Sequence, residues 1–408
     1  MARKMTSAAW KKELQDARLG GLLDSFEKTF GAGREISLFS APGRTEIGGN
    51  HTDHQHGRVL AASVNLDTVA AVSENGTNVI RIQSEGYPLC EVDLTDLAIR
   101  EEEKNTTMSL IRGVAAAFRD LGCESRGFDA YVISDVLRGS GLSSSAAYEV
   151  LLGVILNGMY FDGKVDAVKI AQIGQYAENV YFGKPSGLMD QMASSVGNLV
   201  TIDFADPKAP IVERVEFDFS KTGYSLCIID SGADHADLTD EYAAITVELK
   251  KISNYFGKNV LREIPKDEFY AAIPALRKLA GDRAVLRAMH FYDDNDRVPQ
   301  QVEALKNGDF DTFLEMMKAS GRSSWMYLQN VIPAGYTEHQ EVAMALAMCD
   351  KLLAGRGAYR VHGGGFAGTV QAFVPNDLLD TFCEKMEAVL GKGSCHVLSI
   401  RPVGGMVY

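Results

Sequence analysis

Apolar residues recur with two different periods along the 408-residue chain, and each period predicts its own kind of element. An amphipathic opening over 8–30 reads as helical. The stretch "EISLFSAPG" has the pattern of a strand ended by Pro42 and Gly43, and strands continue through "RVLAASVNLDTVAAVSENGTNVIRIQS". Over 108–121 the period lengthens to that of a helix, with Leu110, Ile111, Val114, Ala115 and Phe118 on one face. Next come a strand, "FDAYVISDV", a glycine and serine cluster, and an apolar helix over 145–160. Strand, glycine loop and helix in that order make a geometry that holds phosphates. A further helix, "VDAVKIAQIGQYAENVYFG", ends at Gly183 and is followed by "KPSGLMDQMASSVGN" and the strand "LVTIDF".

Around 205–210 the pattern turns polar, with two prolines, and a domain boundary is expected there: 1–205 and 206–408. The second half predicts a strand over 224–230, mostly helices over 240–354, then "AYRVHGGGFAGTVQAFVP", a C-terminal helix and a last strand near "CHVLSIRPV". Helices and strands mix without a regular βα repeat, so the expected class is α+β rather than doubly wound. A chain this long is expected to divide into two domains. The formal net charge of −13 argues against nucleic acid as a partner. Six cysteines scattered singly, and a start that leads into no apolar segment, read as a reduced cytoplasmic protein. The most apolar stretch, 150–161, is shorter than the ~20 residues that span a bilayer, so no membrane partner is expected.

The densest chemistry lies in "GRTEIGGNHTDHQHGRVLAASV", where His51, His54 and His56 stand near Asp53. Imidazole and carboxylate are ordinary zinc ligands, but His-x-x-His-x-His is not a tight structural pattern and the chain has no Cys-x-x-Cys. A metal cage, a polar turn and the wall of a pocket for a polar ligand all stay open. In "RGSGLSSSAAYEVLLGVIL", Gly139 and Gly141 allow a tight turn, and Ser143, Ser144 and Ser145 sit where a helix begins. Hydroxyls and unpaired helix amides there suit a di- or triphosphate, although a plain serine cap on a buried helix would use part of the same pattern. No lysine makes this a Walker loop. "HGGGFAG" formally contains Gly-x-Gly-x-x-Gly, but a strand-like segment follows it, so it is a close-approach loop or a tight turn and not a dinucleotide fingerprint. Glu178 and Asp190 are the carboxylates of "AENVYFGKPSGLMDQM". Either could face solvent, but Asp190 is flanked by Leu188, Met189 and Met192 at a helix start, which would lower its pKa and make it a weak base. Phosphoryl transfer, which needs orientation more than deprotonation, suits such a carboxylate.

Taken together and in this order, "SAPGRTEIGGNHTDHQHG", "GSGLSSSAA", "GLMDQ" and "GGGFAG" resemble the motifs of the GHMP small-molecule kinase superfamily and, within it, the galactokinase family. The resemblance implies a two-domain fold with the active site in the cleft between the N- and C-terminal domains, and transfer of phosphate from ATP to the anomeric hydroxyl of a galactose-type sugar. It further implies that Asp190 and Arg44 are catalytic, and that Asn50, His51, Asp53, Gly187 and Tyr242 meet the sugar. Gly139, Ser140, Gly141, Leu142, Ser143, Ser144, Ser145 and Ala146, with Gly364 and Gly365, would line the ATP site, and Ser145 and Glu178 would hold Mg²⁺.

The departures bear on the sugar. The family signature usually reads Gly-Arg-Val-Asn-Leu-Ile-Gly-Glu-His-Thr-Asp-Tyr, whereas this chain has Glu46, Gly48, Asn50 and His54. The family's Glu at the place of Asn50 contacts the sugar near its C6 hydroxyl. It would repel a sugar carboxylate by about 4 kcal/mol at ~4 Å, and an Asn would not. Galacturonate and N-acetylgalactosamine therefore compete with galactose as expectations. Thr107 stands where many relatives have a Trp near adenine, which leaves the nucleotide preference open. A non-catalytic sugar sensor would be expected to lose part of the serine loop or the catalytic pair, and this chain keeps Arg44, Ser144, Ser145, Ala146 and Asp190.

Overall fold

The computed structural model describes residues 2–136, 141–233 and 238–408. Strands β1 (Ser37–Gly48), β2 (Arg58–Glu74), β3 (Val79–Ser84), β4 (Cys90–Asp93), β5 (Phe128–Ser134), β6 (Leu199–Asp203) and β7 (Ile211–Val215) belong to one sheet. Strands β8 (Tyr224–Asp230), β9 (Ala358–Val361), β10 (Thr369–Pro375) and β11 (Cys395–Leu398) form a second, in the order β11-β8-β10-β9. The chain then returns as β12 (Met406–Val407) to the first. That sheet runs β12-β1-β2-β5-β3-β4, and only β3 and β5 pair in parallel. Strand β2 is long enough to pair with β6 near its start and with β5 near its end, which branches the sheet. The class is α+β.

The apolar run 69–72 within β2 follows from burial on both of its faces. Ala70 and Val72 pack with Ile111 and Val114 of the helix Thr107–Asp120 and with Leu151 and Ile155 of the helix Ser144–Tyr160. Val69 and Ala71 face the other way, onto Trp10, Leu22 and Phe26. Those residues come from two opening helices, Ser7–Leu14 and Ala17–Phe30, where the periodicity suggested one. Gln15 takes a left-handed φ of 50° and the Asp16 carboxylate caps the second helix at the Leu19 amide. The helix Ser144–Tyr160 is apolar on nearly every side because it is buried on nearly every side.

Pro42 and Gly43 do not end β1. The strand continues to Gly48 through a register shift between Pro42 and Arg44, because a proline without an N–H interrupts a ladder more cheaply at a bulge than by stopping it. Strand pairing also crosses position 205: β7 pairs with β6 and β12 with β1. A shared core joins the halves, with Ile47, Leu60 and Val64 against Val298 and Val302 of the helix Asp282–Lys306 and Leu226, Ile228 and Phe373 of the second sheet. No helix among the described residues is long and apolar enough to cross a membrane.

The returning tail threads past Gly197. The Asn198 amide donates to the Arg401 carbonyl at 2.9 Å, and a Cβ on Gly197 would lie 2.9 Å from the Val403 Cα in a backbone of φ +80°. Gly86 has a similar φ of +78° with open space around it. Gly197→Ala therefore carries both the left-handed cost of roughly 1–2 kcal/mol and a backbone collision, whereas Gly86→Ala carries only the first. The expected outcome in a thermal melt is a clearly larger drop in midpoint for Gly197→Ala; equal drops would mean that the tail is not anchored there.

Candidate functional site

The bulge in β1 turns Arg44 toward the start of the helix Met189–Val196. Its Nε donates to Asp190 Oδ1 at 2.7 Å, a terminal guanidinium nitrogen donates to the Gly141 carbonyl, and its backbone N–H donates to the Leu142 carbonyl at 3.0 Å. The other Asp190 oxygen accepts from the Ser143 hydroxyl. Burial alone would raise the Asp190 carboxyl, but the Arg44 charge, its hydrogen bond and the Ser143 hydroxyl outweigh it and hold the group below the ordinary aspartate value. Asp190 is thus an anion with both oxygens engaged. Ser143 reaches it from a left-handed backbone, φ 56°, which is uncommon for a residue with a Cβ and recurs at functional sites.

A cleft of about 230 Å³ opens beside this pair, walled by Arg44, Glu46, His51, Asp53, Gly187 and Asp190, with Gly363 and Gly364 closing it from the β9–β10 turn. Asp53 and Gly187 approach so closely that a Cβ at 187 would lie 2.5 Å from Asp53 Oδ2. A ring nitrogen of His51 lies 2.9 Å from the Gly364 carbonyl, and burial, then the neighbouring His54, pushes its pKa down to about 4, so the imidazole is neutral. The histidines of this turn do not gather as a cage. His54 is exposed, and among the described residues they form no convergent set of ligand atoms.

Two expected sugar contacts stand elsewhere. Asn50 is fully buried: its amide nitrogen donates to Glu46 Oε1 at 3.0 Å and to the Gly363 carbonyl at 2.7 Å, while its oxygen accepts from Ser324 and Asn330. A saturated carboxamide stitches the turn to the second half and does not face the cleft. Tyr242 lies behind the glycine loop, its hydroxyl donating to the Gly365 carbonyl at 2.8 Å and its ring 2.8 Å from where a Cβ on Gly364 would sit. Gly365, at φ 77°, packs on Asn330. Glu46, noted in the sequence only as a departure from the signature, was not expected in the site. It lines the cleft, and Arg360 donates to its carboxylate at 2.6 Å with both side chains buried. Burial raises its pKa, with Arg360 and Asn50 opposing. Asn50 bonded to a glutamate four residues earlier is the signal that could have found it.

On the other side of the 141–145 segment lies a groove of about 1050 Å³, whose wall includes Thr107, Ser134, Ser144, Ser145, Tyr148 and His396. Leu142 and Ala146 are buried beneath it, and Gly139 and Ser140 lie outside the described residues. Glu178 sits in a π-helical turn, Ala177–Phe182, where its buried carboxylate accepts from Lys184 at 2.8 Å, Ser186 at 2.5 Å and Gln191 at 2.9 Å. Gln191 also donates to Glu149, one helical turn beyond Ser145, whose second oxygen is buried without a partner and whose pKa burial and Glu178 push well up. The unpartnered Glu149 oxygen and the Glu178 carboxylate offer the oxygen donors that a hard divalent cation such as Mg²⁺ takes. Lys184, Gln191 and Glu149 were not foreseen, although "GKPSG" did place a lysine beside the carboxylates.

Residues 24–74 match the model of the galactokinase galactose-binding signature, and residues 109–198 that of the GHMP kinase N-terminal domain. Galactokinase from Streptomyces coelicolor is 30% identical over 91% of this chain and 93% of its own, and galactokinase from Glaesserella parasuis is 30% identical over 87% and 89%. The fold superposes on Lactococcus lactis galactokinase in complex with galactose at a TM-score of 0.80, with 25% identity, over 96% of this chain and 100% of that one. A mevalonate kinase shares the fold at a TM-score of 0.64 and 14% identity, over 89% of this chain and 99% of its own. With a relative this similar along nearly its whole length, the chain belongs to the galactokinase family of the GHMP kinases.

Proposed function

We propose that the protein transfers the γ-phosphoryl group of ATP to the anomeric hydroxyl of galactose. The observation that carries this reading is the Arg44–Asp190–Ser143 cluster, which stands between a small polar cleft and a larger groove that shares the serine loop. In this reading the sugar occupies the cleft against His51, Asp53 and the backbone at Gly187, and the triphosphate lies along Ser144 and Ser145. Asp190, already an anion, accepts a hydrogen bond from the anomeric hydroxyl and aims its oxygen at the phosphorus. Orientation is what a loose phosphoryl transfer demands, so a weak base is adequate. Arg44 holds Asp190 in place and stabilises charge spreading over the moving group. Ser145 and Glu178 would hold Mg²⁺, with Glu149 behind them; the ion, when bound, supplies neutralisation of phosphate charge. Lys184 now occupies part of that role for Glu178.

Galactose is favoured over galacturonate by the position of Glu46. The argument for a carboxylated sugar needs a site that has lost a negative charge at position 50, yet a carboxylate lines the same cleft four residues earlier. Arg360 is committed to that carboxylate, Arg44 to Asp190 and Lys184 to Glu178, so among the described residues of the cleft no cation stands unpaired for a sugar acid.

Three outcomes test this. ADP release with Mg²⁺ and ATP should be fastest with galactose and weak with galacturonate, N-acetylgalactosamine and glucose; a faster rate with galacturonate would overturn the choice of sugar. Asp190→Asn should retain sugar and nucleotide binding by calorimetry and lose roughly 10²–10⁴ in kcat; near-normal turnover would remove Asp190 from the chemistry. Because the folded Asp190 titrates below its ordinary value, the active anion persists as pH falls and the acid limb of kcat/KM should lie below the ordinary aspartate range. Ser143→Ala removes one of the lowering contacts, so the limb should move to higher pH, and an unmoved limb would show that the hydroxyl does not tune Asp190.

A further inference from the structure

Far along the chain from the catalytic motifs, three cysteines converge on one face of the second sheet. In β8 and β11, Cys227 pairs opposite Val397 and Cys395 opposite Ile229, which puts the two thiols on the same face as diagonal neighbours. The helix Leu379–Leu390 packs over that face through Phe382 and Met386 and brings down Cys383. The three sulfurs lie within 4.8 Å of one another, and those of Cys383 and Cys395 are 3.3 Å apart. Cys227 is fully buried, whereas Cys383 and Cys395 are partly exposed, so the cluster has a closed floor and an open mouth.

Single cysteines in a core act as small apolar side chains, as Cys349 does nearby. Three that point their sulfurs at one spot from two strands and a helix do something else. Thiolates around a tetrahedral ion at ~2.3 Å stand roughly 3.8 Å apart, a spacing that small side-chain rotations would reach from this arrangement. With sulfur the only donor type in the cluster, it selects thiophilic cations over Mg²⁺ or Ca²⁺. We infer that Cys227, Cys383 and Cys395 form a site for a thiophilic metal ion, Zn²⁺ in the first instance, with the fourth position open to solvent. Binding displaces the thiol protons to water and ties the edge strand β11 and the helix Leu379–Leu390 to β8. The other face of β11 carries His396 into the wall of the larger groove, so the ion would also fix that wall.

The test uses the full-length, fully reduced protein and Co²⁺ as a spectroscopic stand-in, followed by Zn²⁺ competition. One equivalent of Co²⁺ should give the near-ultraviolet thiolate charge-transfer bands and visible bands of a tetrahedral site, and Zn²⁺ should bleach them. Cys383→Ser and Cys395→Ser, both near the surface, should each weaken binding by roughly 10- to 100-fold. Cys90→Ser and Cys349→Ser should leave it unchanged, and Cys227→Ser adds a third arm if it folds. Absence of charge-transfer bands, bands that survive in both Cys383→Ser and Cys395→Ser, or prompt closure of a Cys383–Cys395 disulfide under mild peroxide that Zn²⁺ does not slow would each overturn the site.

Discussion

A carboxylate can stay ionised in a mostly buried place only if something compensates the water it has lost. At Asp190 that compensation is Arg44, at 2.7 Å, with the Ser143 hydroxyl on the other oxygen. Arg44 reaches the spot because β1 bulges after Pro42, and the bulge fits because residue 43 has no side chain. A Cβ there would lie 2.9 Å from Val136 and 3.0 Å from the Leu142 carbonyl. One arginine thereby fixes three things at once: through its guanidinium the carboxylate and the carbonyl of Gly141, and through its backbone N–H the carbonyl of Leu142. The cleft and the groove take their relative positions from that arginine.

A second buried pair holds the halves of the molecule together. Arg360 on β9 donates to the Glu46 carboxylate and to the Glu46 carbonyl, and Gln371 on β10 adds a bond to the same carbonyl at 3.0 Å. Asn50 closes the circuit between Glu46 and the Gly363 carbonyl. Compared with the family signature, carboxylate and carboxamide have changed places between positions 46 and 50. Because the two side chains are hydrogen-bonded to each other, the exchange keeps one negative charge and one amide within the same circuit. Removing either alone would leave a buried charge or donor without its partner, a far larger cost than the exchange itself.

Much of this was legible in the sequence, and the rest was hidden for definable reasons. The helix expected over 108–121 runs Thr107–Asp120, and the strand after "HGGGFAG" is β10, because local period and glycine content act within a few residues. The serine loop, Asp190 and Arg44 could be singled out since each belongs to a short motif. Glu46 stood out only as a departure from the signature; its pairing could not be read, because Arg360 lies 314 residues away and only the folded chain joins them. Asn50 was read as facing a ligand because the family's Glu at that place meets the sugar, yet a turn that takes His51 to φ 58° sends successive side chains in different directions. Pro42 misled in the same way: proline marks the loss of a donor, and a bulge absorbs that loss as well as a strand end does.

Ser143 joins the serine segment to the Asp190 carboxylate. Its left-handed backbone costs about 1–3 kcal/mol for a residue with a side chain, and glycine would remove that cost. Glycine would also remove the hydroxyl that meets Asp190, so the strain and the contact are two sides of one choice. The same backbone turn places Ser144 and Ser145 at the start of a helix and along the larger groove. The segment that lines the groove with Ser144 and Ser145 therefore meets, at Ser143, the carboxylate that faces the cleft. A displacement of this segment acts on Asp190 through Ser143 and on Arg44 through the Gly141 carbonyl. The two recesses are thus coupled by direct hydrogen bonds over three residues, without the need for a larger conformational change.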